Sequence, residues 1–211
     1  MKLEKEWKKE LWENRYLIFL SLVFLILAIV LDYAAGKYVT KTDGVVAPDL
    51  ILDSIPTINL SFIYVYGAVF FIALLFIYPL FFRVKELHVV ISQFSLLVMV
   101  RGIFICLTHL EVPTEAVKFY IPKTLFLLNF TNDLFFSGHT AFPFLGYLLF
   151  KGEKIRYFFL AMSMIMGAVV LLMHVHYTID VLSAFFITFG TYKFGEIFFK
   201  KMENYFKGHT N

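Results

Sequence analysis

The chain has 211 residues, of which 60% are hydrophobic, 19% are aromatic and only 17% are charged, and its mean hydropathy is +0.76. This composition excludes an ordinary water-soluble globular protein and indicates an integral membrane protein. Because one crossing takes roughly 20 apolar residues, the length allows at most about six spans and no separate soluble domain. The net charge of +3 is spread along the chain, which excludes a nucleic-acid surface.

The N-terminal segment, residues 1–15, alternates Lys and Glu around Leu3, Trp7, Leu11 and Trp12. These apolar residues recur at helical spacing, which predicts an amphipathic helix at the bilayer surface. The apolar run that follows is long and lacks a clear cleavage site, so it is expected to remain as a membrane anchor.

Six apolar runs predict an all-α membrane protein with six transmembrane helices. They form one membrane domain at 16–199, and 200–211 is predicted to be a cytoplasmic tail. Between the runs, 13 Lys and Arg residues fall on one side of the membrane and four on the other, which predicts that both termini are cytoplasmic. The predicted spans are 16–35, 60–82, 87–107, 134–150, 155–173 and 177–199.

Two predicted outer connections are long, residues 36–59 and 109–133. The second contains an apolar stretch at 119–130 that is interrupted by Pro122 and is too short to span the membrane. We expect an interfacial or re-entrant helix there.

Ionisable residues inside predicted spans are costly in lipid and normally face a polar cavity or a partner. Four such residues stand out in the sequence: Arg101, Asp180, Lys193 and Glu196. Lys193 and Glu196 lie three residues apart near the cytoplasmic end and are expected to pair on one helix face. Arg101 lies about 9 Å below the outer end of its span. This depth favours a ligand for an anion, with a structural ion pair as the alternative.

The segment from Asn132 to Thr140 is the densest polar cluster and leads into the fourth predicted span. Ser137 is predicted to cap that helix, and Gly138 allows the backbone to approach an oxyanion closely. His139 adds an imidazole beside them. The cluster predicts a phosphate site, and the alternative is a helix cap with an incidental histidine.

The second polar cluster runs from His174 to Asp180 at the turn between the last two predicted spans. His176 and Asp180 are four residues apart, so on a helix they share one face. The carboxylate can then accept the Nδ1 proton and leave Nε2 of the imidazole as a nucleophile or base. The alternative is a pair that only pins two helices together.

The predicted topology puts Arg101, His139, His176 and Asp180 on one side of the membrane. This set suits phosphoryl transfer, in which one histidine attacks phosphorus, a second protonates the departing oxygen, and arginine holds the phosphate charge. The scheme needs no metal or cofactor. A zinc site built from His139, His174 and His176 is a weaker alternative, because the chain has no His-Glu-x-x-His sequence.

Four stretches in chain order resemble motifs of one family, the sphingomyelin synthase branch of the type 2 phosphatidic acid phosphatase (PAP2) superfamily. Residues 48–53 resemble its Pro-Asp-x-x-x-Asp motif, and 101–113 resemble its arginine-led motif. Residues 132–140 resemble Gly-Asp-x-x-x-Ser-Gly-His-Thr, with Asn132 in place of the glycine, and 174–180 are similar to His-x-His-Tyr-Thr-x-Asp. The last two matches are the specific ones.

The resemblance implies a six-span PAP2-like enzyme that moves a phospho-alcohol head group, of the phosphocholine or phosphoethanolamine type, from a glycerophospholipid to ceramide or diacylglycerol. It implies that His176 forms a phosphohistidine, that Asp180 orients it and that His139 protonates the leaving alcohol. The predicted phosphate ligands are Arg101, Ser137 and Gly138, and the predicted supporting residues are Asp133, His174 and Tyr177.

Alternative functions remain open at the level of sequence. The Lys-x6-Arg-Pro and Ser-Arg-x5-His patterns of the general PAP2 phosphatases are absent, which favours a transferase. A lipid phosphatase or phospholipase C-type hydrolase would use the same residues with water as acceptor, and a lipid-binding or transport protein would use Arg101 without chemistry. In each case the site is expected on the outer side, facing the periplasm, the extracellular space or an organelle lumen.

Overall fold

A computed structural model describes residues 2–119 and 130–208, and within these ranges the chain forms α-helices joined by loops and short 3-10 turns, with no strand. The predicted interfacial or re-entrant helix at 119–130 falls almost wholly outside the described residues. In chain order the helices are α1 (Lys2–Glu13), α2 (Arg15–Thr40), α3 (Ser61–Phe82), α4 (Leu87–Leu107), α5 (Gly138–Leu149), α6 (Ile155–Leu172) and α7 (Thr178–Gly208).

Four helices in the described part of the chain are long and apolar enough to cross a membrane: α2, α3, α4 with the turn before it, and α6. Helix α5 has only 12 residues, and α7 carries Asp180, Lys193 and Glu196 among its apolar residues. These two helices do not meet the same criterion. The helices are consistent with a multi-pass integral membrane protein, and the count of six crossings stays a prediction.

Several helix ends differ from the predicted spans. Helix α2 continues to Thr40 rather than ending at residue 35, and α7 continues through most of the predicted tail to Gly208. Helix α5 begins at Gly138 rather than at residue 134. Residues 134–137 instead form a loop, in which the Ser137 N–H donates to the carbonyl of Asp180 at 3.1 Å.

The helices pack around a core that includes the buried side chains of Phe71, Leu97, Phe136 and Met166. Helix α2 lies along α4, where a Cβ on Gly102 would be 3.6 Å from that of Ala35, so glycine permits a close approach. Helix α5 packs between α6 and α7, and α3 contacts α4, α5 and α6. This arrangement brings the last turns of α4 together with the first turns of α5 and α7.

Helix α1 packs at the other end of the bundle. The Trp7 indole N–H donates to the carbonyl of Leu80 at 2.7 Å, and Lys85 pairs with Glu10 at 3.1 Å. These contacts fix α1 beside the end of α3, at the predicted cytoplasmic side. Its placement in the bilayer surface stays a prediction.

Candidate active site

The predicted site residues converge where α4 ends and α5 and α7 begin. Arg101, His139 and His176 line one cavity of about 580 Å³, although they lie on three different segments of the chain. Asp180, in the first turn of α7, is fully buried behind His176. The structure thus brings together the four residues that the predicted topology put on one side.

His176 and Asp180 form a buried pair. Nδ1 of His176 lies 3.4 Å from Oδ2 of Asp180, and the same oxygen accepts the N–H of Tyr177 at 2.9 Å. His176 is only 4% exposed. In the tautomer with the proton on Nδ1, the carboxylate orients the ring and Nε2 keeps its lone pair for chemistry.

His139 lies across the cavity from His176. Its ring stacks on that of Tyr64, with centroids 4.0 Å apart and planes 21° apart, and its centroid is 6.5 Å from that of His176. The stack restricts rotation of the imidazole. Because both histidines line one cavity, a group bound there can contact both imidazoles.

Arg101 makes its close contacts with the loop that leads into α5. Its Nη2 lies 2.7 Å from Oδ1 of Asp133, its Nη1 donates to Oδ2 of Asp133 at 3.1 Å, and its Nε donates to the carbonyl of Phe136 at 3.0 Å. A two-pronged pair of this kind fixes both partners. The guanidinium therefore holds residues 133–136 in place, and Arg101 also lines the cavity.

Asp32 of α2 is a site-lining residue that the sequence analysis missed. Its Oδ1 lies 3.9 Å from Nη1 of Arg101, and the residue lines the same cavity as the two histidines. The sequence does contain a signal for it, because Asp32 is an acidic residue inside an apolar run. That run was interpreted only as a membrane anchor. Tyr64 was missed as well, because the sequence of a span does not distinguish an aromatic residue that lines a cavity from one that faces lipid.

Ser137 and Gly138 lie at the start of α5. Ser137 occupies the N-cap position, but its side chain makes no capping hydrogen bond; its Oγ accepts from the Thr140 hydroxyl at 3.4 Å. A Cβ on Gly138 would be 3.1 Å from the Phe142 ring and 3.4 Å from Nε of Arg101. Glycine therefore lets the backbone approach the guanidinium closely.

His174 points away from the other two histidines. Its backbone has a positive φ of 55°, and its Nδ1 lies 3.4 Å from the Thr57 hydroxyl at a second cavity of about 400 Å³. The three histidines of the alternative zinc site are not gathered together. Within the described ranges, no cluster of three or more His, Cys, Asp or Glu residues is arranged to hold a metal ion.

Tyr177 ties the two predicted outer loops to the turn at residues 174–178. Its hydroxyl donates to the carbonyl of Glu111 at 2.8 Å and accepts the N–H of Ala47 at 3.1 Å. The ring is 2% exposed. Tyr177 thus supports the turn and does not line the cavity that holds His176.

Asp49, from the stretch that resembles the Pro-Asp-x-x-x-Asp motif, caps the start of α7. Its carboxylate accepts the N–H of Thr178 at 2.5 Å and the Thr178 hydroxyl at 2.7 Å. The backbone N–H groups of Ile51 and Leu52 donate to it at 3.1 Å. Burial opposes ionisation of this group, but these hydrogen bonds outweigh it and hold the pKa of Asp49 below its ordinary value.

The cavity is polar at one end and apolar along the rest of its length. Phe94 lies seven residues before Arg101 on α4, about 10 Å deeper. A site with charged and imidazole groups at its mouth and hydrocarbon below matches the two halves of a lipid. The apolar part is lined by Leu25, Ile29, Ala68, Phe71, Ile72, Phe76, Phe94, Val98 and Phe142.

Comparison with known proteins gives one family match. The family model described as PAP2 superfamily C-terminal matches residues 131–197, which contain His139, His176 and Asp180. No curated protein and no solved structure matches the chain. PAP2 superfamily members are phosphatases or phosphotransferases that act on lipids, so the match supports an enzyme of this general type. The matched third of the sequence therefore supports membership of the PAP2 superfamily for this chain.

Proposed function

We propose that this protein is a lipid phosphotransferase of the sphingomyelin synthase type. It moves a phosphocholine or phosphoethanolamine head group from a glycerophospholipid to a lipid alcohol such as ceramide or diacylglycerol. The observation that carries the proposal is the position of His139 and the buried His176–Asp180 pair at the polar end of an otherwise apolar cavity.

In the first step the donor phosphate lies between the two imidazoles. Nε2 of His176 attacks phosphorus, and the bond from phosphorus to the glycerol oxygen breaks. Protonated His139 gives its proton to that oxygen, so diacylglycerol leaves as a neutral alcohol. Asp180 stabilises the positive charge that develops on the His176 ring.

In the second step the acceptor replaces the first product in the apolar part of the cavity. Its hydroxyl gives a proton to His139, which is now neutral, and its oxygen attacks phosphorus. The bond from phosphorus to nitrogen breaks, and His176 and His139 return to their starting states. Because the cavity favours hydrocarbon over water, a lipid alcohol is the better acceptor.

The phosphate charge is stabilised at the start of α5. The first N–H groups of an α-helix lack intrahelical acceptors and face an anion at that end. Gly138 allows the backbone to approach closely, Ser137 occupies the N-cap position, and Arg101, which lines the cavity, adds positive charge. Asp133 and Tyr177 hold this framework, and His174 shapes the turn before His176.

The proposal includes a topology. Both termini are cytoplasmic, and the site opens to the periplasm, the extracellular space or an organelle lumen. The polar cavity mouth and the N-terminal helix lie at opposite ends of the bundle, which supports this orientation.

The test is a transfer assay with purified protein in mixed vesicles. The vesicles contain head-group-labelled phosphatidylcholine and phosphatidylethanolamine, together with ceramide and diacylglycerol. We expect label on a new lipid and a loss of at least about 1,000-fold in His176→Ala, because the nucleophile is removed. His109→Ala is the matched control, since His109 is exposed and outside the cavity.

The competing functions give different products. Water-soluble labelled head group that disappears in His176→Ala would establish a hydrolase on the same residues. Absence of any label movement in the wild type would overturn both enzymatic readings and favour a lipid-binding or transport protein.

A further inference from the structure

Asp32 is an ionisable residue in a membrane-spanning helix that the proposed reaction does not use. It lies on α2, lines the cavity beside Arg101, and keeps 22% of its side chain exposed there. Its Oδ1 is buried and accepts no hydrogen bond from any residue that the structure describes. A carboxylate in such a segment is costly unless a charged partner or ligand compensates it.

Arg101 does not supply full compensation. Its closest contacts are with Asp133, at 2.7 and 3.1 Å, whereas Oδ1 of Asp32 is 3.9 Å away. One guanidinium thus faces two carboxylates. Among the described residues that line this cavity, no other side chain carries a fixed positive charge. In the first step of the proposed reaction the protonated His139 adds a second positive charge to that of Arg101. Asp32, Asp133 and the Asp180 behind His176 carry three negative charges, so the polar end of the cavity has a net negative charge of about one unit.

Aromatic rings flank the same end of the cavity. Tyr64 and Phe130 line it with Asp32, and His139 stacks on one face of the Tyr64 ring. The Phe130 ring packs against that of Tyr33 with centroids 5.6 Å apart. Faces of aromatic rings attract cations, and a carboxylate beside such faces is a common arrangement for binding ammonium groups. The uncompensated charge and the aromatic wall point to the same class of ligand.

The charge of the donor decides which lipids can use such a site. A phosphodiester brings one negative charge, so a lipid with a neutral alcohol on its phosphate adds repulsion to the net charge already present. A lipid with an amino alcohol on its phosphate brings a positive nitrogen two carbons from the phosphate oxygen. That nitrogen can neutralise Asp32 while the phosphate lies between the histidines.

We infer that Asp32 is a specificity-determining residue that accepts the ammonium group of the donor lipid's head group and so excludes donors with uncharged head groups. This inference rests on the proposed function, because it assumes that a phospholipid head group occupies the cavity.

The kinetic test compares donors with identical acyl chains: phosphatidylcholine, phosphatidylethanolamine and phosphatidylglycerol. In the wild type we expect kcat/KM to favour the two amine lipids. Asp32→Asn should lower the ratio of kcat/KM for an amine lipid to kcat/KM for phosphatidylglycerol at least about tenfold, since the substitution removes the charge and keeps the shape of the side chain. Asp32→Glu should retain most of the ratio. Asp43→Asn is the matched control, because Asp43 is an exposed acidic residue outside the cavity.

Two outcomes of this assay overturn the inference. An equal loss for all three donors would mean that Asp32 acts only through Arg101. An unchanged ratio in Asp32→Asn would mean that the carboxylate plays no part in selection.

A binding measurement separates this inference from the proposed function. Native mass spectrometry of His176→Ala protein with equimolar phosphatidylcholine and phosphatidylglycerol needs no turnover, and we expect more bound phosphatidylcholine. The preference should disappear when Asp32→Asn is added. Equal binding of both lipids by His176→Ala overturns the inference even if Asp32→Asn does not fold. Selective binding without transfer in the wild type overturns the proposed function alone.

Discussion

Arg101 makes its strongest contacts within the protein rather than towards the cavity. The sequence favoured a phosphate ligand at this depth, with a structural ion pair as the alternative, and the geometry shows that the pairing with Asp133 exists. The two roles are compatible, because Arg101 lines the cavity while it pairs with Asp133. The two roles predict different effects on stability when Asp133 is replaced.

A double-mutant cycle separates these roles. We expect Arg101→Gln and Asp133→Asn each to destabilise the fold by about 3 kcal/mol, since each breaks a buried ion pair. After Asp133→Asn, the carboxylate left beside Arg101 is that of Asp32, at 3.9 Å. The double variant should be less destabilised than the sum, with a coupling of about 1–3 kcal/mol. Thermal unfolding of the four proteins in detergent measures this, and strictly additive losses would show that the pair is not a structural unit.

Candidate site residues were easier to predict from the sequence than the residues that surround them in the fold. His139, His176 and Asp180 lie in short polar strings inside an apolar chain, so their convergence followed from topology. Asp32 has no polar neighbour in sequence, and its proximity to Arg101 exists only once α2 packs along α4. The missing side-chain cap at Ser137 likewise depends on tertiary contacts that no local pattern contains.

At the scale of elements, the first outer loop anchors the last helix. Asp49 binds Thr178, which is 129 positions further along the chain, and so fixes the start of α7 immediately after His176. A carboxylate at a helix N-terminus satisfies free N–H groups and complements the helix dipole. Under the proposed function, Asp49 is therefore a positioning residue for the turn that carries His176.

Replacing Asp49 tests this positioning role. Asp49→Ala should lower stability by about 1 kcal/mol through loss of the cap, and it should reduce kcat more than it changes KM. Asp49→Asn should have a smaller effect, because an amide oxygen still accepts hydrogen bonds. Steady-state kinetics and melting curves check both, with the exposed Asp43→Asn as control. An Asp49→Ala protein with wild-type kcat would remove Asp49 from the mechanism.

The same contact predicts a pH dependence. Because the folded state lowers the pKa of Asp49, its contribution to stability is complete above the pKa of the unfolded chain, about 4. It is lost as pH falls further, through the lower pKa of the folded state. The difference in melting temperature between wild type and Asp49→Ala should therefore be constant near neutrality and shrink below about pH 4. A difference that grew on acidification would contradict this assignment.

Helix boundaries were the least predictable feature of the elements. Leu134, Phe135 and Phe136 look like the start of a span, yet they form a loop whose apolar side chains pack in the core. Arg101 and the Ser137 N–H hold that loop through the carbonyls of Phe136 and Asp180. Hydropathy cannot distinguish a buried apolar loop from a helix, because both remove the same side chains from water.

At the scale of the whole molecule, the two ends of the bundle differ in character. One end carries the cavity mouth and the long loops, and the other carries α1 and the basic turns at residues 83–86 and 151–156. Basic residues collect on the cytoplasmic side of membrane proteins. The arrangement agrees with the predicted orientation, and direct labelling can test it.

Site-directed labelling provides that test. Cys106 is the single native cysteine, so Cys106→Ser gives a background for Asp43→Cys on the predicted outer side and Lys154→Cys on the predicted cytoplasmic side. With a membrane-impermeant maleimide we expect Asp43→Cys to react in intact cells if the outer side is the cell exterior. Lys154→Cys should react only after permeabilisation. The reverse pattern would invert the topology and move the site to the cytoplasm.

The bridge through the Tyr177 hydroxyl has a consequence for how the protein is made. Ala47 and Glu111 emerge from the ribosome long before Tyr177, and the hydroxyl that joins them belongs to the last turn on the outer side. The two early loops also bond to each other directly, because the Val45 N–H donates to the carbonyl of His109 and the Glu111 N–H donates to the carbonyl of Val45, each at 3.1 Å. The final stretch of translation therefore adds the link from both loops to the turn at residues 174–178. His176 is made in the same stretch, so under the proposed function the nascent chain gains its nucleophile only then. A partly translated chain would therefore lack the nucleophile and could not act on the phospholipids around it.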